Sequence, residues 1–94
     1  GGEEFIVVLS GIQENDAVMF AERLRTRIEQ LGIEHSGSRA NNVVTISIGI
    51  TGLVAGITRS EEMIKRADEA LYEAKGAGRN KTIYLDEDGT FKHI

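Results

Sequence analysis

The sequence predicts an α/β (α+β) sandwich, a central sheet flanked by helices in the order β-α-(β)-β-α-β. Three observations carry that expectation. Short runs rich in β-branched residues stand at 5–9 (FIVVL) and 82–85 (TIYL), and a period-2 alternation runs through Val44, Ile46, Ile48 and Ile50. Two longer segments repeat apolar residues every three or four positions. Pattern alone does not decide whether the sheet is antiparallel or mixed. Ninety-four residues make one small domain. A chain of this size buries somewhat over ~60% of the surface its unfolded form exposes, so one core is feasible.

The first strand is expected over 5–9. A polar, turn-like stretch over 10–16 follows, with Asn15 or Asp16 as candidate N-cap of a helix that starts at Ala17. Its inward stripe is Ala17, Phe20, Ala21, Leu24, Ile28 and Leu31, and Gly32 stops it. Residues 33–42 hold Gly37 and two adjacent asparagines, fitting a short strand and a turn. In the next strand Thr45, Ser47 and Gly49 alternate with the isoleucines, and this small-residue face admits a helix or a ligand at close range. A glycine-containing loop spans 51–58. Ser60, Glu61 and Glu62 open the second helix, whose inward stripe is Ile64, Ala67, Leu71 and Ala74, flanked by Met63 and Ala70. Gly76 and Gly78 end it. The last strand is 82–85, then a turn over 86–89 and a short tail. A buried-type strand that begins five residues into the chain lacks a hairpin partner, so its edge is expected to recruit another strand by swapping or dimerisation.

Composition narrows the function classes. The formal charge is −4 and the pI about 5.1, with both signs mixed along the chain. Long nucleic acid calls for a basic face and is disfavoured, whereas a single nucleotide needs only one or two well-placed cations. The chain has no cysteine, which excludes disulfides and thiolate metal sites. No apolar run approaches the ~20 residues of a membrane span. The chain opens on Gly1-Gly2 without an initiator Met, so the natural N-terminus is expected upstream and targeting cannot be read.

Two clusters have residue types suited to chemistry. Gly1 and Gly2 tolerate positive φ and let backbone approach a ligand, and Glu3 and Glu4 at a strand mouth suit a hard cation or a hydroxyl proton. A solvated turn with acids for solubility explains the same residues. Lys75 and Arg79 bracket Gly76-Ala77-Gly78 at the end of the second helix, where they either bind phosphate oxygens or simply complement the helix terminus. The stretch from Gly76 lacks the third glycine of a dinucleotide fingerprint and follows a helix, and residues 52–56 fail as a P-loop. His35 and His93 read as surface residues, Arg23, Arg25 and Arg27 as solvated, and Tyr72, Tyr84 and Phe91 as packing residues. No Ser-His-acid set emerges.

Three separated stretches together resemble one family. Gly1-Gly2-Glu3-Glu4-Phe5 is similar to the GG(D/E)EF signature of GGDEF domains. Thr45-Ile46-Ser47-Ile48-Gly49-Ile50 resembles the family's T-V-S-I-G-V strand. Arg66-Ala67-Asp68-Glu69-Ala70-Leu71-Tyr72, then Ala74-Lys75 and Gly78-Arg79-Asn80, resembles its R-A-D-x-A-L-Y-x-A-K-x-x-G-R-N helix and exit. The spacing between the three is also the family's, and the match runs from Gly1 to about Tyr84. The chain is thereby identified as the C-terminal part of a single GGDEF domain over 1–94, a partial nucleotidyl-cyclase-like fold whose N-terminal half is expected to lie outside it.

That resemblance implies a diguanylate cyclase, which condenses two GTP into cyclic di-GMP with release of pyrophosphate for bacterial signalling. Glu3 falls on the acid expected to bind Mg²⁺ (or Mn²⁺) and to help deprotonate the attacking 3′-hydroxyl, with Glu4 supporting at metal or hydroxyl. Gly1 and Gly2 match the turn against the nucleotide, and Lys75 and Arg79 the pair that holds the triphosphate. Arg23 falls on a secondary product-inhibition contact for cyclic di-GMP. The partner implied is a second GGDEF domain in a homodimer, each bringing one GTP, in the cytoplasm or on a membrane-anchored parent. The family's metal-binding aspartate, guanine-reading Asn and Asp, and R-x-x-D inhibitory motif precede the signature, so the 94 residues alone are expected to be inert. The rival readings are a non-catalytic module that senses GTP or cyclic di-GMP, and a purely structural dimerisation unit. The intact signature has no explanation in the last.

Overall fold

The computed structural model describes residues 3–8 by their backbone, and residues 13–34, 44–52 and 59–94 in full. Six elements follow in the order β1 (Glu3–Val8), α1 (Glu14–Gln30), β2 (Ile46–Thr51), α2 (Ser60–Gly76), β3 (Thr82–Leu85) and β4 (Phe91–His93). They form a four-stranded mixed sheet in the order β1-β2-β3-β4. The first three strands are parallel, and β4 pairs antiparallel with β3. Among the described residues β1 has β2 as its neighbour and forms one edge.

The helices lie on opposite faces. Ala17 and Ala21 of α1 are small enough to bring the helix onto Ile46, Ile48, Ile50 and Tyr84, with Val18, Leu24 and Ile28 packed around them. On the other face Ala70 and Ala74 of α2 cover Ile83 and Leu85, with Phe91 at the margin. All six residues of β2 are therefore buried, although the strand alternates apolar and small side chains. Each isoleucine removed from water contributes about 1.5–3 kcal/mol. The small-residue face of β2 receives a helix: a Cβ built on Gly49 would lie 2.3 Å from the Leu71 nitrogen and 2.4 Å from the Ala67 oxygen. Because the strands run β1-β2-β3 while the helices take opposite faces, the two crossovers have opposite hands, and one is of the uncommon left-handed kind.

Several expected boundaries shift. The strand expected over 5–9 begins at Glu3, so Glu3 and Glu4 are its first residues; Leu9 lies outside the described residues. Helix α1 starts three residues before the expected first position, Ala17, whose N–H already donates to the Gln13 carbonyl at 3.1 Å. Gln13 is the N-cap and makes no side-chain capping bond, which leaves Asn15 and Asp16 inside the first turn. Helix α2 does open at Ser60 as expected, with Arg59 as its N-cap. Phe20 and Ile64 sit at the rims of their stripes and are about half exposed, as is Leu31, which lies past the end of α1. Tyr72, expected to pack, is 78% exposed because it points away from the Met63, Ala67, Ala70, Leu71 and Ala74 face.

Of the strand expected within 33–42, Glu34 forms an isolated bridge and the Val44 N–H donates to the Ile33 carbonyl at 2.6 Å; residues 35–43, His35 among them, lie outside the described residues. The loop at 53–58 does too. The expected tail is a strand. Asp86 Oδ1 accepts from the Asp88 and Thr90 amides, Gly89 takes φ +84°, and the chain turns back into β4. Lys92 Nζ then pairs with Glu14 at 3.0 Å and His93 Nε2 meets Glu73 at 3.1 Å, tying β4 to both helices. No helix among the described residues is long and apolar enough to cross a membrane.

Candidate functional site

Parallel pairing places the starts of β1, β2 and β3 at one end of the sheet. Glu3 is in register with Ile46 and Glu4 with Ser47, while Thr82 is in register with Ile48. Helix α2 runs antiparallel to these strands, so its last turn, with Lys75, and the turn over 77–81, with Arg79, reach the same end before the chain enters β3. Ser47 joins the two clusters: its Oγ accepts the Asn80 N–H at 3.0 Å, and it is the register partner of Glu4. Glu3, Glu4, Lys75 and Arg79 are thus gathered at one end. Gly1 and Gly2 lie outside the described residues. Arg23 stands apart on the solvent side of α1, in an open groove with Thr26, Arg27 and Gln30.

The turn after α2 has an unusual backbone. Gly78, Arg79 and Asn80 take φ of +113°, +62° and +48°. Glycine and asparagine suit that region; arginine does not, and a non-glycine residue there costs about 1–3 kcal/mol. The Arg79 N–H donates back to the Ala74 carbonyl at 2.9 Å, which fixes the turn against the last helical residues.

An unforeseen network surrounds Asn80. Its Nδ2 donates to Glu29 at 2.8 Å, and its Oδ1 accepts from Arg25 Nη1 at 2.9 Å. Arg25, expected to be solvated, has a side chain only 16% exposed and is gripped at two points by Glu22, both at 2.8 Å. Glu22 also accepts from the Thr82 hydroxyl at 2.7 Å. The signal was present as a Glu-x-x-Arg-x-x-x-Glu spacing on one helix face (Glu22, Arg25, Glu29), but nothing in α1 alone says what that face meets.

Hydrogen bonding from Arg25 holds the Glu22 carboxyl below its ordinary range, against the upward push of burial and with help from Thr82. A depressed folded value contributes stability that is complete above the ordinary 4.5 and is lost as pH falls through the folded value. Arg25→Met is therefore expected to destabilise the chain at neutral pH by about 1–3 kcal/mol. Thermal unfolding of parent and variant should differ more at neutral pH than well below pH 4.5, where the bonds from Arg25 to Asn80 remain; a difference that is the same at both pH values would contradict the assignment.

The opposite end of the sheet holds a pocket of about 290 Å³ lined by Glu14, Gly52, Tyr84, Asp86, Glu87, Asp88 and Lys92. Burial raises the Tyr84 phenol, and the Glu14 charge adds to this; Lys92 is raised by its bond to Glu14. This wall is anionic and turns away from Lys75 and Arg79. Among the described residues no group of three or more His, Asp or Glu is arranged to hold a metal ion.

Comparison with known proteins agrees with the motif spacing. Residues 1–81 match the family described as diguanylate cyclase, GGDEF domain. The chain is 42% identical over 81 residues to diguanylate cyclase A of Treponema denticola, covering 86% of this chain and 21% of that protein. It is 37% identical over 83 residues to the response regulator PleD of Caulobacter vibrioides, covering 88% and 18%. With the probable diguanylate cyclase DgcT of Escherichia coli it shares 41% over 86 residues, covering 92% and 19%. The chain thus spans about a fifth of the length of these curated relatives. With the strand from Glu3, the small-residue strand and the helix exit assembled in one fold, and residues 1–81 matched together, this chain belongs to the GGDEF domain family of diguanylate cyclases.

Proposed function

We propose that this chain carries the signature strand and the phosphate-binding turn of a domain that condenses two GTP into cyclic di-GMP. One observation supports this most: Glu3 and Glu4 share a sheet end with Lys75 and Arg79, the strands being parallel there and Ser47 hydrogen-bonded to Asn80. Carboxylate-bearing and cation-bearing positions at one sheet end support a magnesium–triphosphate complex there.

Glu3 accepts the proton of a 3′-hydroxyl, and Glu4 supports it at the metal or the hydroxyl. The freed 3′-oxygen forms a bond to the α-phosphorus of a second GTP as the bond to pyrophosphate breaks. Lys75 and Arg79 hold the triphosphate and offset the charge on the leaving pyrophosphate. Gly1 and Gly2 let the main chain lie against the nucleotide. The carboxylates are hard oxygen donors, which fits Mg²⁺ or Mn²⁺; two such donors leave coordination positions for phosphate oxygens, water and other carboxylates. When bound, the metal supplies Lewis-acid polarisation of the phosphoryl oxygens. The product is two-fold symmetric, so two domains each bring one GTP and face one another.

The test is a chimera in which these residues replace the matching segment of the Treponema denticola cyclase. It is expected to form cyclic di-GMP from GTP and Mg²⁺, whereas the 94-residue chain alone forms none. A folded chimera that binds GTP without turning it over would favour the sensing module. Product from the isolated chain would refute its expected inertness.

A further inference from the structure

The clasp around Asn80 goes beyond the roles above, though it rests on the proposed function. A glycine at Gly78, with φ +113°, is enough to end a helix. The chain instead continues through two further left-handed residues, Arg79 and Asn80. Such a backbone persists where its surroundings over-determine it. Those surroundings come from three other elements. Asn80 is bonded through its main-chain N–H to Ser47 of β2, and through Nδ2 to Glu29 of α1. Its Oδ1 and its carbonyl both accept from Arg25 Nη1, at 2.9 and 3.4 Å. Arg25 is itself aimed by Glu22, which is anchored on Thr82, the first residue of β3.

We infer that Arg25 and Asn80 are positioning residues for triphosphate binding: through them α1 fixes the left-handed turn from which Arg79, and Lys75 behind it, meet the phosphates. Arg25 does not itself take the ligand. Its guanidinium is occupied by Glu22 and Asn80 and lies beside Glu29 at 3.9 Å. The clasp therefore acts on the geometry of the phosphate-binding turn.

Arg25→Met and Asn80→Gly in the chimera test this. Glycine keeps the positive φ available while deleting the amide contacts, so strain does not confuse the result. Both variants are expected to weaken GTP binding in calorimetry, and to raise KM, by about 10-fold, the scale of one displaced charge-assisted contact. Guanosine binding should be unchanged, and kcat should fall less than KM rises. Ile50→Val, a core change toward the opposite end of β2, should lower Tm without moving KM. If both clasp variants lower Tm as that control does, while GTP affinity and KM stay within about twofold of the parent, the clasp is merely structural and the inference is overturned. A folded parent chimera that binds no GTP sinks the proposed function and this inference together, so the two failures are distinguishable.

Discussion

Glu3→Gln in the chimeric cyclase is expected to cut cyclic di-GMP formation by about 10²–10⁴-fold, the contribution of a positioned general base. Glutamine keeps the size of the side chain and one carbonyl oxygen, so the strand should form as before. It removes the negative charge and the proton acceptor together. GTP affinity should fall much less, because the triphosphate is assigned to Lys75 and Arg79, on the far side of Ser47 from the signature strand. The loss should therefore appear in kcat. Steady-state turnover measured beside GTP calorimetry separates the two terms. Turnover within about threefold of the parent would remove Glu3 from the chemistry.

Gly49→Ala is expected to be the most damaging single methyl in the described part of the chain. Its Cβ would stand 2.3 Å from the Leu71 nitrogen, 2.4 Å from the Ala67 oxygen and 2.8 Å from the Leu71 Cα. All three are main-chain atoms in the middle of α2, so no side chain can swing aside. Forcing the helix off the sheet would disturb Met63, Ala67, Ala70, Leu71 and Ala74 together. The cost is placed at the top of the overpacking range, about 3 kcal/mol. For a chain of this size that lowers Tm by roughly 12–24 °C. Gly76→Ala is the matched control. A Cβ there meets nothing within 4 Å, and the position is the last helical residue. It should be neutral or slightly stabilising. Equal effects at the two glycines would show that α2 does not rest on β2 as described.

The sequence was most legible where one local rule decides the outcome. β3 falls on the expected 82–85, since a four-residue run with three β-branched or aromatic members between polar turns has few alternatives. The stripe Ala67, Leu71 and Ala74 is buried as its spacing requires. The close approach foreseen at Gly49 is real, and a helix makes it. What could not be read depends on neighbours distant in sequence. Parallel pairing of β1 with β2 leaves no mark in either strand. The last residues look like a tail until Asp86 folds them back. At the candidate site, the motif directs attention to Lys75 and Arg79, and helix-terminal cations would look the same without a function. Arg25 reads as one of three alternating arginines, and only the contact with Asn80, fifty-five residues away, separates it from Arg23 and Arg27.

The bare approach at Gly49 has a mechanical side as well. Helix and strand meet there backbone to backbone, with no compressible side chain as a cushion, so α2 can neither roll nor slip along β2 without a collision. Strand, helix and the cation-bearing exit consequently form one stiff slab. On the proposed function, a change in how these charges face a nucleotide is expected to move strand, helix and exit together as one body.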